Sequence, residues 1–337
     1  MQPKWRFVDK HPELVLLAND FLHRWEHNAH FEIKSSGTTS EPKTFRFTKD
    51  QLIHSAKLSI AAFGLNQHSR ALMCLPLNSV GGLMLLARSL VGNFELYLQN
   101  PTSRPLEKIE LTFDFVSMVP TQLQQSLTYD IKNLVNISNI LIGGGAINTA
   151  LIEACQKQKM NVWQSYGMSE TLSHVALRKL SPTETLNYEA LPGIKFSKVN
   201  DCLCIAYPEI SEVPLQTTDI IELHSPTSFR WLGRADHAIN SGGFKIIPEL
   251  LENKLSSGIN IPFYIAGLAD EKWGEIVVLV LETYNSPDLT FLKQMGLPTH
   301  EIPKKYAVIP TFIRTTTGKV KRSETSKLIQ IEHWRSI

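Results

Sequence analysis

Apolar residues along the first half of the chain alternate between helical and extended spacing. Glu13 to His27 reads as an amphipathic helix. Phe31 to Ile33 is a short strand entering a Ser/Thr/Gly-rich loop, Ser35 to Ser40, and Asp50 can cap a helix running to about Phe63. Ala71-Leu72-Met73-Cys74-Leu75-Pro76 predicts a buried strand, Gly82 to Leu90 a helix and Phe94 to Leu98 another strand. Val116 to Val119 is extended and leads into a Pro-Thr helix start. The strand Ile140-Leu141-Ile142 ends in three glycines, a helix follows to Lys157, and Asn161 to Gln164 is extended again. Strands alternating with helices predict an α/β fold around a mainly parallel sheet flanked by helices.

The pattern changes after about residue 190. Lys195 to Ala206 and Ile220 to Trp231 read as short β segments separated by turns. A smaller α+β unit begins near Ser241, with Pro248 in the first turn of a helix through Leu255 and strands at Phe263 to Gly267 and Ile276 to Glu282. A boundary near Gly233–Asp236 divides a large domain, 1–235, from a small one, 236–337. The length of 337 residues agrees with two domains.

Composition narrows the functional classes. A 43% hydrophobic and 20% charged chain is that of a globular protein, and a net charge of +2 gives no basis for nucleic-acid or anionic-membrane partners. Cys74, Cys155, Cys202 and Cys204 lack paired zinc spacing; Cys202 and Cys204 share a strand face and read as packing residues. The start, Met1-Gln2-Pro3-Lys4-Trp5-Arg6, has no apolar signal core. The apolar stretch from Ala71 to Ala87 is short and broken for a membrane span. The expectation is a cytoplasmic protein without stable membrane insertion.

Four segments carry candidate chemistry. Ser35-Ser36-Gly37-Thr38-Thr39-Ser40-Glu41-Pro42-Lys43 offers backbone N–H groups, hydroxyls and a lysine to a polyphosphate, or else is a polar linker. Gln164-Ser165-Tyr166-Gly167-Met168-Ser169-Glu170-Thr171 follows a strand, where α/β proteins place ligands. Tyr166 presents a flat face for a base and Glu170 a hard ligand for Mg²⁺; the plainer reading is a capped turn. Thr217-Thr218-Asp219 and Gly233-Arg234-Ala235-Asp236 supply a carboxylate acceptor and a guanidinium donor for ribose hydroxyls, each weak alone. Thr315-Thr316-Thr317-Gly318-Lys319 is a tight turn able to project Lys319, or part of a basic tail. His23, His27 and His30 share a helical spacing and read as an exposed face more readily than as a metal site.

Taken together, the order SSGTTSEPK, GGGA, YGMSET, TTD, GRADHAINSGGFKIIPELLE and TTTGK resembles the acyl-adenylate-forming superfamily of acyl- and aryl-CoA ligases, luciferases and adenylation domains. The resemblance spans Phe31 to Arg322. It implies that Ser35, Ser36, Gly37, Thr38, Thr39 and Lys43 hold the ATP phosphates, with Ser40 where a glycine is usual. Gly144, Gly145 and Ala146 border adenine and the acyl group. Tyr166 stacks on adenine with Gly167 beside it, Ser169 lies near the phosphates and Glu170 binds Mg²⁺. Asp219 and Arg234 contact ribose, Asp236 is the hinge, and Gly242 and Gly243 face coenzyme A. Lys319, in a mobile small domain, bridges the acyl carboxylate and AMP.

The chain has only 34 residues ahead of the phosphate loop, which implies that much of the usual N-terminal subdomain is missing. Short versions of this kind resemble o-succinylbenzoate–CoA ligases of menaquinone biosynthesis. Leu75 to Arg88 is similar to their substrate segment, with Asn78-Ser79 where an aromatic–His pair is usual. Ser79 and Arg88 are the substrate-binding candidates there, Arg88 for a spectator carboxylate. The expected reaction joins a carboxylic acid to AMP using ATP and Mg²⁺, then to coenzyme A. Another aryl- or acyl-CoA ligase, or a non-catalytic nucleotide-binding module, are the alternatives.

Overall fold

A computed structural model describes residues 2–34, 43–145, 147–315 and 318–337. Contacts divide the chain into two units. The first comprises Met1–Ser197, Ile205–Leu215 and His224–Phe229; the second comprises Lys198–Cys204, Gln216–Leu223 and Arg230–Ile337. The second unit thus takes two short segments from within the larger part of the chain, besides the C-terminal residues. Residues 35–42 of the candidate phosphate loop, together with Ala146, Thr316 and Thr317, lie outside the described residues.

In the first unit the elements follow as β1 (Trp5–Phe7), α1 (Pro12–His27), β2 (His30–Lys34), β3 (Thr44–Thr48), α2 (Lys49–Phe63), β4 (Arg70–Met73), α3 (Val80–Gly92) and β5 (Glu95–Leu98). Next come β6 (Phe115–Met118), α4 (Pro120–Tyr129), α5 (Ile131–Leu134), β7 (Ile140–Ile142), α6 (Thr149–Lys157), β8 (Val162–Gly167), β9 (His174–Ser181) and β10 (Tyr188–Ala190). Strands β1-β5-β4-β6-β7-β8 lie side by side and parallel, and β9 and β10 continue the sheet antiparallel. A mainly parallel sheet with helices is the expected α/β architecture. Every residue of β6 and β7 is buried, as expected of central parallel strands. The core joins Leu72, Val116, Ile140 and Val162 from the sheet to Leu123 of α4 and Leu151 of α6.

Local signals set the helix limits. Thr48, rather than Asp50, caps α2: its hydroxyl accepts from the Gln51 N–H while the Gln51 side chain accepts from the Thr48 N–H. Asp50 instead lies in the first turn, where a negative charge is favoured. Gly64 closes α2 in the left-handed conformation.

Strands β11 (Lys195–Val199), β12 (Cys202–Tyr207), β13 (Ser211–Ser225) and β14 (Ser228–Arg234) contribute residues to both units. The second unit continues with β15 (Ile239–Ser241), β16 (Phe244–Ile246), α7 (Pro248–Leu255), β17 (Phe263–Asp270), β18 (Gly274–Glu282), β19 (Lys305–Ile309), α8 (Arg322–Ser326) and β20 (Arg335–Ser336). Its sheet runs β16-β15-β18-β19-β20, with β17 also paired to β18. Leu251 and Leu255 of α7 pack with Val277, Leu279 and Leu281 of β18. All four cysteines are free and buried. No helix among the described residues is long and apolar enough to cross a membrane.

Candidate active site

Strand β8 runs three residues beyond the predicted Gln164, so Tyr166 and Gly167 form its end. The next residues, Ser169–Thr171, make one short 3₁₀ turn, which carries Glu170 just past the strand. Thr171 stabilises this turn: its hydroxyl accepts from the Met168 N–H at 3.1 Å and lies 2.7 Å from the Ser173 carbonyl. Tyr166 stands edge-on to Tyr188 at 5.7 Å and to Phe229 at 5.1 Å. These contacts fix its ring plane. Gly167 is required by packing, since a Cβ there would lie 2.2 Å from the Ser173 carbonyl oxygen and 2.5 Å from the His174 Cα.

The glycines after β7 face the same strand. Gly144 adopts a left-handed φ of 77° and is exposed. The Gly145 carbonyl accepts from Gln164 Nε2 at 3.3 Å, and Gln164 Oε1 accepts from Arg178 Nε at 2.8 Å. Lys43 is exposed at the start of β3.

Helix α3 carries the substrate-segment candidates. The Ser79 hydroxyl caps it, accepting from the Gly82 N–H at 3.2 Å and donating to the Pro76 carbonyl at 2.6 Å. Gly82 allows this close approach, because a Cβ there would lie 2.2 Å from that carbonyl oxygen. Arg88, two turns along, is only 2% exposed. Its Nη2 donates to Ser173 Oγ at 2.8 Å, and its buried Nε has no partner. Among the described residues, no carboxylate pairs with it. Burial pulls its pKa down to about 10, yet it stays a cation at neutral pH.

The second unit gathers Asp219, Arg234, Asp236 and Lys319. Asp219 is buried and accepts from Trp231 Nε1 at 3.1 Å; Arg234 Nη1 lies 4.0 Å from the same carboxylate. Arg234 forks onto Asp236 with two 2.8 Å bonds, which hold the Asp236 carboxyl below its ordinary pKa. Lys319 sits on a turn closed by Thr315 N–H to Lys319 carbonyl and Gly318 N–H to Thr315 carbonyl bonds. Gly318 has φ 83°, so the left-handed step of this turn falls on glycine. Arg314, at the foot of the turn, forks onto Glu282.

Lys319 reaches solvent, yet the surrounding protein lowers its pKa. Arg234 and Arg322 add to that shift, while Asp219 and Asp236 oppose it. The same charges that surround the ribose candidates therefore act on the lysine.

Residues between the hinge candidate and α8 form a half-buried network that sequence reading did not single out. Glu249 of α7 meets His237 Nδ1 at 2.6 Å and Arg322 Nη1 at 3.6 Å. Arg322 Nη2 donates to Glu252 at 2.8 Å, and Glu252 also accepts from the Ile265 N–H. Gly233 completes the fit, since a Cβ there would lie 2.5 Å from Glu249 Oε2. Gly242 is seated against Trp273 and Gly243 has φ 85°.

Among the described residues no group of three or more His, Cys, Asp or Glu side chains could hold a metal ion. The rings of His23 and His27 lie 4.5 Å apart on the exposed face of α1, and His30 begins β2. Glu170 fits Mg²⁺ only as one carboxylate beside ATP phosphates, the usual way a protein shares this ion with its nucleotide.

Comparison with known proteins gives consistent matches. The family model described as AMP-binding enzyme matches residues 26–199. A curated 2-succinylbenzoate--CoA ligase of Listeria monocytogenes is 26% identical over 322 residues, covering 86% of this chain and 68% of its own length. A crystal structure of an acyl-CoA synthetase (AMP-forming)/AMP-acid ligase II-like protein from Dyadobacter fermentans is 33% identical, with a TM-score of 0.64 and 96% of each chain covered. The o-succinylbenzoate coenzyme A synthetase of Bacillus subtilis, solved in complex with ATP and magnesium ion, shares the fold at a TM-score of 0.76 and 23% identity, over 88% of this chain and 69% of that one. The family match covers more than half of the 337 residues, and the chain belongs to the AMP-binding enzyme family.

Proposed function

We propose that this protein converts o-succinylbenzoate to its coenzyme A thioester through an acyl-adenylate, in the cytoplasm and as a step of menaquinone biosynthesis. The observation that carries the substrate is Arg88, a buried cation that no described carboxylate neutralises, held through Ser173 against the Tyr166–Gly167 strand end. An unpaired buried guanidinium costs several kcal/mol. A substrate with a second carboxylate recovers that cost on binding, and o-succinylbenzoate has one carboxylate to react and one to spare.

The chemistry then follows from the side chains. Tyr166 gives adenine a fixed flat face, and Asp219 and Arg234 supply the acceptor and donor for ribose hydroxyls. Ser35 to Lys43 and Ser169 are assigned to the phosphates, and Gly144 to Ala146 to the border of adenine and acyl group. Mg²⁺ held by Glu170 with the phosphates supplies charge neutralisation when bound. A carboxylate oxygen bonds to the α-phosphorus as the bond to pyrophosphate breaks, so two anions approach. Lys319 offsets their repulsion. The thiol of coenzyme A, losing its proton, then attacks the acyl carbon and AMP leaves; Gly242 and Gly243 are assigned to this step. Asp236 serves as the hinge between them.

Purified protein with ATP, Mg²⁺ and o-succinylbenzoate is expected to release pyrophosphate, and to form the thioester once coenzyme A is added. Ready turnover of other aryl acids with none of o-succinylbenzoate would refute the substrate. One observation favours a broader aryl- or acyl-CoA ligase: Asn78 is exposed and the Ser79 hydroxyl is occupied in capping α3. A panel of mono- and dicarboxylic acids separates the two readings.

A further inference from the structure

Behind Arg88 lies a buried chain of polar groups that the reaction itself does not use. Ser173 Oγ, which accepts from Arg88 Nη2, is 3.4 Å from His174 Nδ1. His174 Nε2 is 2.9 Å from Ser59 Oγ, and Ser59 Oγ is 3.5 Å from the Ser55 carbonyl. All four side chains, Arg88, Ser173, His174 and Ser59, are buried.

Both tautomers of His174 fit these distances, and a Ser59 hydroxyl bonded to the Ser55 carbonyl selects one of them. The Ser59 hydroxyl has a single hydrogen, and the Ser55 carbonyl can only accept it. Ser59 Oγ is then the acceptor for His174 Nε2–H. That leaves Nδ1 as the imidazole acceptor, which takes the Ser173 hydroxyl hydrogen. The lone pairs of Ser173 Oγ are turned toward Arg88 Nη2. A second proton on His174 would break this order and place two cations in one dry site. Burial, and then the Arg88 charge, hold the His174 pKa well below its ordinary value.

We propose that His174, acting through Ser173, is a positioning residue that fixes the Arg88 guanidinium for the spectator carboxylate of the substrate. A neutral acceptor suits that task in a way an acidic residue does not. Aspartate or glutamate at this place would hold Arg88 equally well but would neutralise it, removing its attraction for the substrate. The His174–Ser173 chain orients one Nη2 hydrogen and leaves the charge uncompensated. Its place is set by Gly167, whose missing Cβ lets the Ser173–His174 backbone pack against the end of β8.

The inference rests on the assignment of Arg88 to a substrate carboxylate, and two measurements separate the two claims. The first needs no substrate. Imidazole ¹⁵N spectra of the full chain are expected to show His174 neutral, with the proton on Nε2, from about pH 5.5 to 8. Arg88→Leu is expected to move the Nδ1 resonance. A proton on Nδ1, or a titrating His174, overturns the proposal.

The second is kinetic. His174→Phe is expected to raise the KM for o-succinylbenzoate by about tenfold or more, with kcat changed by less than about threefold. The KM for an aryl monocarboxylate is expected to stay as it was. His174→Asn, which keeps an acceptor near the Nδ1 position, is expected to recover most of the loss, and His174→Asp to recover none. Equal KM changes for both acids, or full activity in His174→Asp, overturn the proposal. An unchanged o-succinylbenzoate KM in Arg88→Leu overturns the substrate assignment instead, while the spectra still judge the proton chain.

Discussion

Two arginines are withdrawn from solvent in this molecule and are treated in opposite ways. Arg322 of the second unit meets Glu249 and Glu252, and Glu249 also meets His237, so each charge has an opposite one beside it. Arg88 of the first unit is more deeply buried, donates to the Ser173 hydroxyl, and has no carboxylate partner among the described residues. Removing one member of a paired network leaves its partners with less compensation, whereas an unpaired buried cation costs the fold several kcal/mol until an anion reaches it. On the proposed function, the contrast separates a structural cluster, joining the segment after Arg234 to α7 and α8, from a site for the second carboxylate of the substrate.

Lys319→Ala should give the largest effect on activity. We expect pyrophosphate exchange to fall by about 10²–10³-fold, with thioester formation from preformed acyl-adenylate retained. Equal loss of both half-reactions would contradict its assigned role. Arg88→Leu comes next, with kcat/KM for o-succinylbenzoate expected to fall by about a hundredfold and denaturant stability unchanged or raised. Glu249→Ala should do the reverse. It is expected to cost about 3 kcal/mol of stability in urea unfolding, because it takes away the partner of His237 and leaves Arg322 with Glu252 alone, while leaving the KM for the acid near its starting value. A stability loss in Arg88→Leu as large as that in Glu249→Ala would erase the distinction.

The paired cluster should also show in the acid limb of stability. Burial works to raise the Glu249 pKa, but the His237 hydrogen bond and the Arg322 and His237 charges lower it overall from its ordinary 4.5. A carboxyl whose folded pKa is lowered contributes stability that is complete above the unfolded value and is lost as pH falls through the folded one. Urea midpoints should therefore drop more steeply below about pH 4.5 in the parent protein than in Glu249→Gln. Parallel slopes would show that Glu249 is not the group responsible. The smallest effect is expected from Gly318→Ala, about 1 kcal/mol of strain in the Lys319 turn, read as a fewfold loss of adenylation.

Most of the sheet was legible in the sequence because apolar runs such as Ile140 to Ile142 have no other place to go. The motif residues were legible through their order. The boundaries were less so: Thr48 competes with Asp50 as a cap and wins because Gln51 returns the hydrogen bond. Arg88 could be named, but its lack of a partner among the described carboxylates could not, since that depends on the fold. His174 gave no signal, and Glu249 lay inside a quoted motif without a role of its own. Each is one polar residue in an ordinary-looking strand or helix, and its role comes from partners distant in sequence, Ser59 and Arg322.

The account turns on Arg88 acting as a receptor for a second carboxylate. Pyrophosphate release by the parent protein and by Arg88→Leu, each measured with o-succinylbenzoate and with an aryl acid lacking the succinyl carboxylate, tests this directly. The predicted result is a strong preference for o-succinylbenzoate in the parent protein that disappears in the variant. An equal preference in both proteins, or no pyrophosphate release with either acid from a parent protein that binds ATP, would contradict it.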